Sequence, residues 1–309
     1  MSYRSANSNQ SAPLTLLDGA MGTELIERGA STHDGLWSAG ALLDAPEAVL
    51  DIHVDYIKSG AQIITTNTYS TIPSYLEKAG LASRYEELAR KAGSIAKQAV
   101  DKTSSHIKIA ASIPPLDESY RPDLVQSPEE SFPVYVKLAT ALIPFVDYFL
   151  CETMSSIQEA EITLRGVKTA LGKKKVPIWV SFTLTEEPEG CLRSGESVEL
   201  AVSRAEEQGA QAVLFNCTSP ESIEYAVGAV ADKTNLPVGG YPNRFSEVPT
   251  DWTLDNDLVI KRNEQLNEST FVDGALRCKA KGATIYGGCC GIRPSFIRAL
   301  GENLRTENV

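Results

Sequence analysis

The chain has 309 residues, 42% of them hydrophobic, enough to bury one large core; α/β barrels of roughly 250 residues stand as single domains. A formal net charge of −11 argues against nucleic acid or an anionic membrane as a partner, since both require basic patches. Six cysteines without a secretory signature point to reduced thiols in the cytoplasm.

In chain order, residues 1–12 are polar and rich in Ser and Asn, which predicts a disordered tail ahead of one domain over 13–309. No apolar run follows, so neither a signal peptide nor a membrane span is expected. The first β-rich run is 14–17, and Asp44 followed by Pro46 then opens a helix with Val49, Ile52 and Tyr56 on one face. Further strands are expected at 62–66, 108–112 and 147–151, with a proline-containing connection over 113–130. Ser156 and Glu159 read as a capping box, with Gly172 closing that helix. Strands at 176–183 and 211–216 come next, then Ser219-Pro220 as an N-cap with Pro at the first helical position. The last two strands are expected at 237–241 and 284–287, separated by a long polar stretch, 242–269. Most of these runs are almost continuously apolar, as parallel strands covered on both faces should be.

Gly60-Ala61, Gly209-Ala210 and Gly282-Ala283 each fall between a helix and the next strand. A glycine there takes a left-handed conformation and turns the chain back to the sheet. Three identical junctions and eight strands favour a single-domain (β/α)8 TIM barrel over a doubly wound open sheet.

On that reading Cys217 ends strand six, and Gly287-Gly288-Cys289-Cys290-Gly291 ends strand eight. Barrel active sites form at this face, so three sulfurs converge on one mouth. Adjacent strand residues point to opposite sides, and neighbouring cysteines share a metal only where the backbone bends; the flanking glycines permit that. Three thiolates leave tetrahedral Zn2+ one open position, the arrangement of a catalytic site. The alternatives are a buried thiol at Cys217 and a vicinal disulfide or two packed thiols at Cys289 and Cys290. Cys151, Cys191 and Cys278 have no such company and read as structural. His33, His53 and His106 are neither paired at ligand spacing nor at a strand end, which disfavours a histidine-based hydrolytic centre.

These residues carry a resemblance. The chain resembles the homocysteine S-methyltransferases through the run from Leu17 to Leu25 that contains Asp18-Gly19-Ala20-Met21-Gly22, and through Thr65-Thr66-Asn67-Thr68-Tyr69. Cys151-Glu152-Thr153-Met154, Asn216-Cys217 and Gly287-Gly288-Cys289-Cys290-Gly291 complete the series, in order, over nearly the whole chain. The resemblance implies zinc on Cys217, Cys289 and Cys290, homocysteine sulfur in the fourth position, and Asp18, Gly19 and Glu152 as the substrate-binding set. Outside it, Asp18-Gly19 reads as a turn and Glu152 as an acid at a helix N-terminus. Gly35-Leu36-Trp37-Ser38-Ala39 resembles the branch that uses S-methylmethionine more than the betaine branch, while Ser112-Ile113-Pro114-Pro115-Leu116 departs from the glycine-containing turn of relatives.

The implied reaction transfers methyl from a sulfonium or quaternary ammonium donor to homocysteine, giving methionine, in a cytoplasmic monomer or small homo-oligomer. A module receiving methyl from a corrinoid partner is a second reading. A zinc- or redox-sensing barrel that oxidises Cys289-Cys290 is a third.

Overall fold

The computed structural model describes residues 13–30, 36–103, 106–246, 248–249, 251, 253 and 260–306. The expected tail at 1–12 and His33 lie outside the described residues. Eight parallel strands follow one another round a barrel: β1 (Thr15–Leu16), β2 (Ile63–Thr65), β3 (Lys108–Ile113), β4 (Tyr148–Met154), β5 (Ile178–Phe182), β6 (Ala212–Asn216), β7 (Val238–Tyr241) and β8 (Ile285–Tyr286). A single parallel bridge, Leu17 with Ile63, joins β1 to β2 and completes the ring. Eight helices alternate with the strands: α1 (Pro46–Lys58), α2 (Tyr85–Thr103), α3 (Pro128–Leu142), α4 (Ile157–Leu171), α5 (Val198–Glu207), α6 (Pro220–Val230), α7 (Glu268–Ala280) and α8 (Pro294–Thr306). Three shorter helices, Gly22–Glu27, Trp37–Asp44 and Pro73–Glu77, elaborate the connections after β1 and β2. The TIM barrel expected from the sequence is the fold observed.

The three Gly-Ala junctions are built alike. Gly60, Gly209 and Gly282 have φ of +107°, +77° and +107°. In each, the alanine N–H reaches back five residues to the helix, Ala61 to Tyr56, Ala210 to Ala205 and Ala283 to Cys278. The glycine N–H bonds to the carbonyl three residues earlier, completing a Schellman cap that satisfies the last helical carbonyls.

Several boundaries moved. Asp44 does not open α1: it ends the short helix before it, and Ala45 is the uncapped first position ahead of Pro46. Ser156 does cap α4 through the Glu159 N–H, but the Glu159 carboxylate accepts from Ser155 N and Oγ at 2.7 and 2.8 Å rather than closing the box. Ser219 caps α6 as expected. β1 and β8 are two-residue strands, shorter than their apolar runs, because the chain leaves the ladder to form the mouth.

The pleat gives the barrel two cores. Outward residues such as Phe149, Cys151, Val180 and Phe215 pack beneath the helices. Inward residues Ile63, Ala110, Leu150, Trp179 and Leu214 fill the lumen, with Trp179 against Tyr148 at 4.6 Å between ring centroids. Two residues further along each strand, the inward face turns polar: Thr65, Ser112, Glu152, Ser181 and Asn216. That change of polarity at constant period two marks where the packed lumen ends and the site begins.

Candidate active site and metal centre

A cavity of about 350 Å³ opens on this polar layer, and Asp18, Gly19, Glu152, Cys217, Cys289 and Cys290 all line it. Every residue expected at the site therefore meets in one place. Cys151 faces the helix layer, Cys278 is buried in α7, and neither His53 nor His106 reaches the cavity.

Cys217 leaves β6 with φ of +51°, a conformation uncommon for a residue with a Cβ, while its N–H bonds to Tyr241 O at 3.2 Å. The turn is held by Asn216, whose Oδ1 accepts from Ser181 Oγ at 2.6 Å and from Thr153 N at 3.0 Å. Its Nδ2 donates to Thr153 Oγ1 at 2.8 Å. One buried amide thus ties β4, β5 and β6 together just below the sulfur.

Cys289 and Cys290 are pinned from the facing connection. Cys289 N donates to Pro242 O at 2.8 Å, and Arg244 N donates to Cys290 O at 2.7 Å. The glycine frame works differently at its two ends. A Cβ on Gly287 would lie 2.5 Å from the Leu17 Cβ, so that position needs space, whereas Gly291 takes φ of +78°.

The three Sγ atoms lie within 4.8 Å of one another, and Cys217 Sγ is 3.8 Å from Cys290 Sγ. Tetrahedral zinc with Zn–S near 2.3 Å requires sulfurs about 3.8 Å apart. The donor set and spacing fit a thiophilic divalent metal. Hydrogen bonds from Cys289 and Cys290, and one from the Tyr120 hydroxyl at 2.9 Å, hold the Cys217 thiol well below its ordinary value despite burial. One thiolate is thus already stabilised by the fold.

Opposite the sulfurs sit two buried carboxylates. Asp18 accepts from Thr65 N at 2.8 Å and from Thr65 Oγ1 at 3.0 Å. Burial nevertheless pushes it up to about 8. Glu152 accepts from Tyr241 Oη at 3.1 Å, and burial pushes it up to about 7. It lies within β4, whose register shifts between Cys151 and Met154, so it is a strand residue aimed inward rather than a helix-terminal acid. Ser112 Oγ is buried in the same cavity and, with Tyr241, offsets part of the effect of burial on Glu152. Both acids have hydrogen bonds but no salt bridge to a Lys or Arg among the described residues, which leaves them suited to a cationic ligand. Gly19 supplies close approach: a Cβ there would sit 2.9 Å from the Tyr56 hydroxyl, which bonds Ala20 O and Ile292 O at 2.9 and 2.8 Å.

Aromatic side chains form part of the mouth, with Trp37, Tyr69, Tyr75, Tyr120, Tyr241 and Phe245 among its walls. The two long connections contribute directly: Ser119 and Tyr120 come from 113–130, and Phe245 and Ile260 from 242–269. Sequence reasoning assigned no role to Thr65, Ser181, Asn216 or Tyr241. The polar switch two residues beyond each inward apolar residue could have flagged the first three. Tyr120, 97 residues from Cys217, carries no local signal.

A parallel eight-stranded barrel with a three-thiol centre and paired acids at its C-terminal mouth defines a class of thiol-handling barrel enzymes. The homocysteine S-methyltransferase family profile matches residues 15–304, and the chain belongs to that family of S-methyltransferases. It is 30% identical to the homocysteine S-methyltransferase of Escherichia coli (strain K12), over 93% of this chain and 94% of that protein. It is also 30% identical to a selenocysteine Se-methyltransferase of Brassica oleracea var. italica, over 94% of this chain and 88% of that one. Among solved structures it is similar to the metallated form of the E. coli homocysteine methyltransferase MmuM, with a TM-score of 0.78 and 27% identity. That likeness spans 94% of this chain and 96% of that one.

Proposed function

We propose that this chain makes methionine by transferring a methyl group from a cationic donor to homocysteine held on zinc by Cys217, Cys289 and Cys290. The observation that carries this reading is the convergence of three sulfurs within 4.8 Å and two buried carboxylates on one cavity. Zinc supplies the thiolate state: a free thiol near pKa ~8.5 is mostly protonated at neutral pH, and coordination to the metal removes its proton.

The remaining work falls to the chain. Asp18 and Glu152, whose protonated forms burial favours when alone, take up the substrate's ammonium group, which favours their charged forms and fixes the direction of the acceptor sulfur. The aromatic walls suit a sulfonium or quaternary ammonium head, whose positive charge is attracted to ring faces. With donor and acceptor held in line, the sulfur lone pair forms the new S–CH3 bond as the donor's bond to that methyl breaks, and the donor leaves neutral. No general base is needed in that step. The free state of all six cysteines is consistent with a reducing, cytoplasmic setting.

The test supplies zinc-replete protein with homocysteine and, in turn, S-methylmethionine, S-adenosylmethionine, betaine and dimethylsulfoniopropionate, and measures methionine by mass spectrometry. Methionine from a sulfonium donor is the expected result. Its absence with all four overturns the reading.

A further inference from the structure

We propose that Tyr120 is a positioning residue for Cys217, donating a hydrogen bond to its sulfur from outside the ligand set, and that Arg193 and Glu186 hold it there. The inference rests on the zinc-thiolate reading and adds three side chains to it. Tyr120 Oη lies 2.9 Å from Cys217 Sγ. The tyrosine reaches that place at a cost in backbone geometry, since its φ is +67°. Something must hold it, and the far face of the ring shows what. The Arg193 guanidinium carbon sits 5.1 Å from the ring centroid, a cation over an aromatic face.

Arg193 is itself buried, with its side chain 7% exposed, and is fixed by Glu186 through Nη2 to Oε1 at 2.6 Å. The same Glu186 oxygen accepts from Val248 N at 3.2 Å. The segment bearing this pair is braced at two points: Leu184 bridges Leu192 antiparallel, and Ser222 Oγ donates to Glu186 O at 2.9 Å. Three connections, after β3, β5 and β7, therefore meet above Cys217 through one chain of contacts, Val248 to Glu186 to Arg193 to Tyr120. A largely buried ion pair contributes little net stability by itself, so its place behind the Tyr120 ring points to a role in orientation.

The physical consequence is on the sulfur. A hydrogen bond to a coordinated thiolate draws electron density off it, and donors outside the ligand set tune metal sites in this way. A cation over the ring makes the phenol a better donor. Asn243 Nδ2 adds a longer contact to the same sulfur at 3.9 Å, and among the described residues the other two sulfurs have no such donor, so Cys217 becomes the weakest of the three donors to the metal.

The test uses Co2+ in place of zinc and reads the sulfur-to-cobalt charge-transfer band, which activity does not enter. Tyr120→Phe is expected to move the band to longer wavelength, because the sulfur regains the electron density that the hydrogen bond withdrew. Arg193→Gln is expected to move the band the same way by less. A folded, cobalt-loaded Tyr120→Phe protein with the unaltered band overturns the proposal. A shift in Tyr120→Phe but none in Arg193→Gln overturns the role of the Arg193–Glu186 pair. Should Tyr120→Phe fail to fold, Glu186→Gln replaces it and is held to the same criterion. Failure of the unaltered protein to bind Co2+ overturns the zinc reading itself, which separates the two failures.

Discussion

At the mouth, Trp37, Tyr120, Thr153 and Cys217 carry positive φ, and these are the non-glycine residues in that conformation among the described ones. At the opposite end, where helices turn back into strands, the left-handed positions are Gly60, Gly172, Gly209 and Gly282. The same backbone shape is thus met in two ways: by a residue that adopts it without strain, or by one forced into it, at a cost of order 1 kcal/mol or more each. The buried ionisable groups divide similarly. Asp18 and Glu152 face a cavity that a charged ligand can fill, while His53 is enclosed in the helix layer with neither ring nitrogen bonded among the described residues. The charge of the acids at the mouth can be met by a ligand, whereas the unpaired ring of His53 is a fixed feature of the helix layer.

The largest effect that would break this contrast belongs to the sulfurs. Cys217→Ser is expected to strip zinc, measured by metal analysis, and to bring methyl transfer below detection while the thermal transition of the metal-free protein stays close to that of the unaltered one. A large fall in apo stability instead would make Cys217 a structural residue.

Next come the acids. Asp18→Asn and Glu152→Gln should each raise KM for homocysteine about 10- to 100-fold, the equivalent of ~1.5–3 kcal/mol for a charge-assisted hydrogen bond. Because burial raises these groups to about 8 and about 7, both are increasingly protonated as pH falls through that range. KM in the unaltered protein should therefore rise from pH 9 to pH 6, and Asp18→Asn should flatten the upper part of that profile. Initial-rate kinetics across this range check both statements.

His53 gives the counterpart with no ligand to relieve it. Burial lowers it from 6.5 to about 4, so the folded state binds its proton later than the unfolded chain does. A depressed folded value means the stability is present above 6.5 and is lost as pH falls from there to 4, by up to about 3 kcal/mol. Denaturant titrations of the unaltered protein and of His53→Gln should diverge over that window, and saturating homocysteine should leave the divergence unchanged.

The smallest effects are at the junctions. Gly60→Ala places a Cβ in open space at φ of +107°, so only backbone strain is felt, about 1 kcal/mol. Gly282→Ala has the same φ but meets the Ala231 Cβ at 2.8 Å, and should cost more. Neither should alter kcat; a change in turnover would show that the two ends of the barrel are coupled.

What the sequence disclosed follows the range of its signals. The eight strands and the Gly-Ala junctions were legible because hydrophobic runs and Schellman caps are written within a few adjacent residues. Asp44 was misread as a cap because the short helix it ends, Trp37–Asp44, lies so close before Pro46. The three cysteines were legible as strand-end residues, and Asp18 and Glu152 through a resemblance. Tyr120, Arg193 and Val248 were not, since their relation to Cys217 exists only once three separate loops have folded over one strand end.

The lone bridge between Leu17 and Ile63 has one more consequence. Elsewhere two to four residue pairs hold neighbouring strands, so this is the thinnest place in the ring. Beside it, Asp18 reaches across to the Thr65 amide. The carboxylate proposed to grip substrate therefore also laces the seam of the barrel. In hydrogen exchange, the Thr65 amide should open readily in the free protein and slow when homocysteine is bound, so that the fold's weakest stitch reports on the occupancy of its active site.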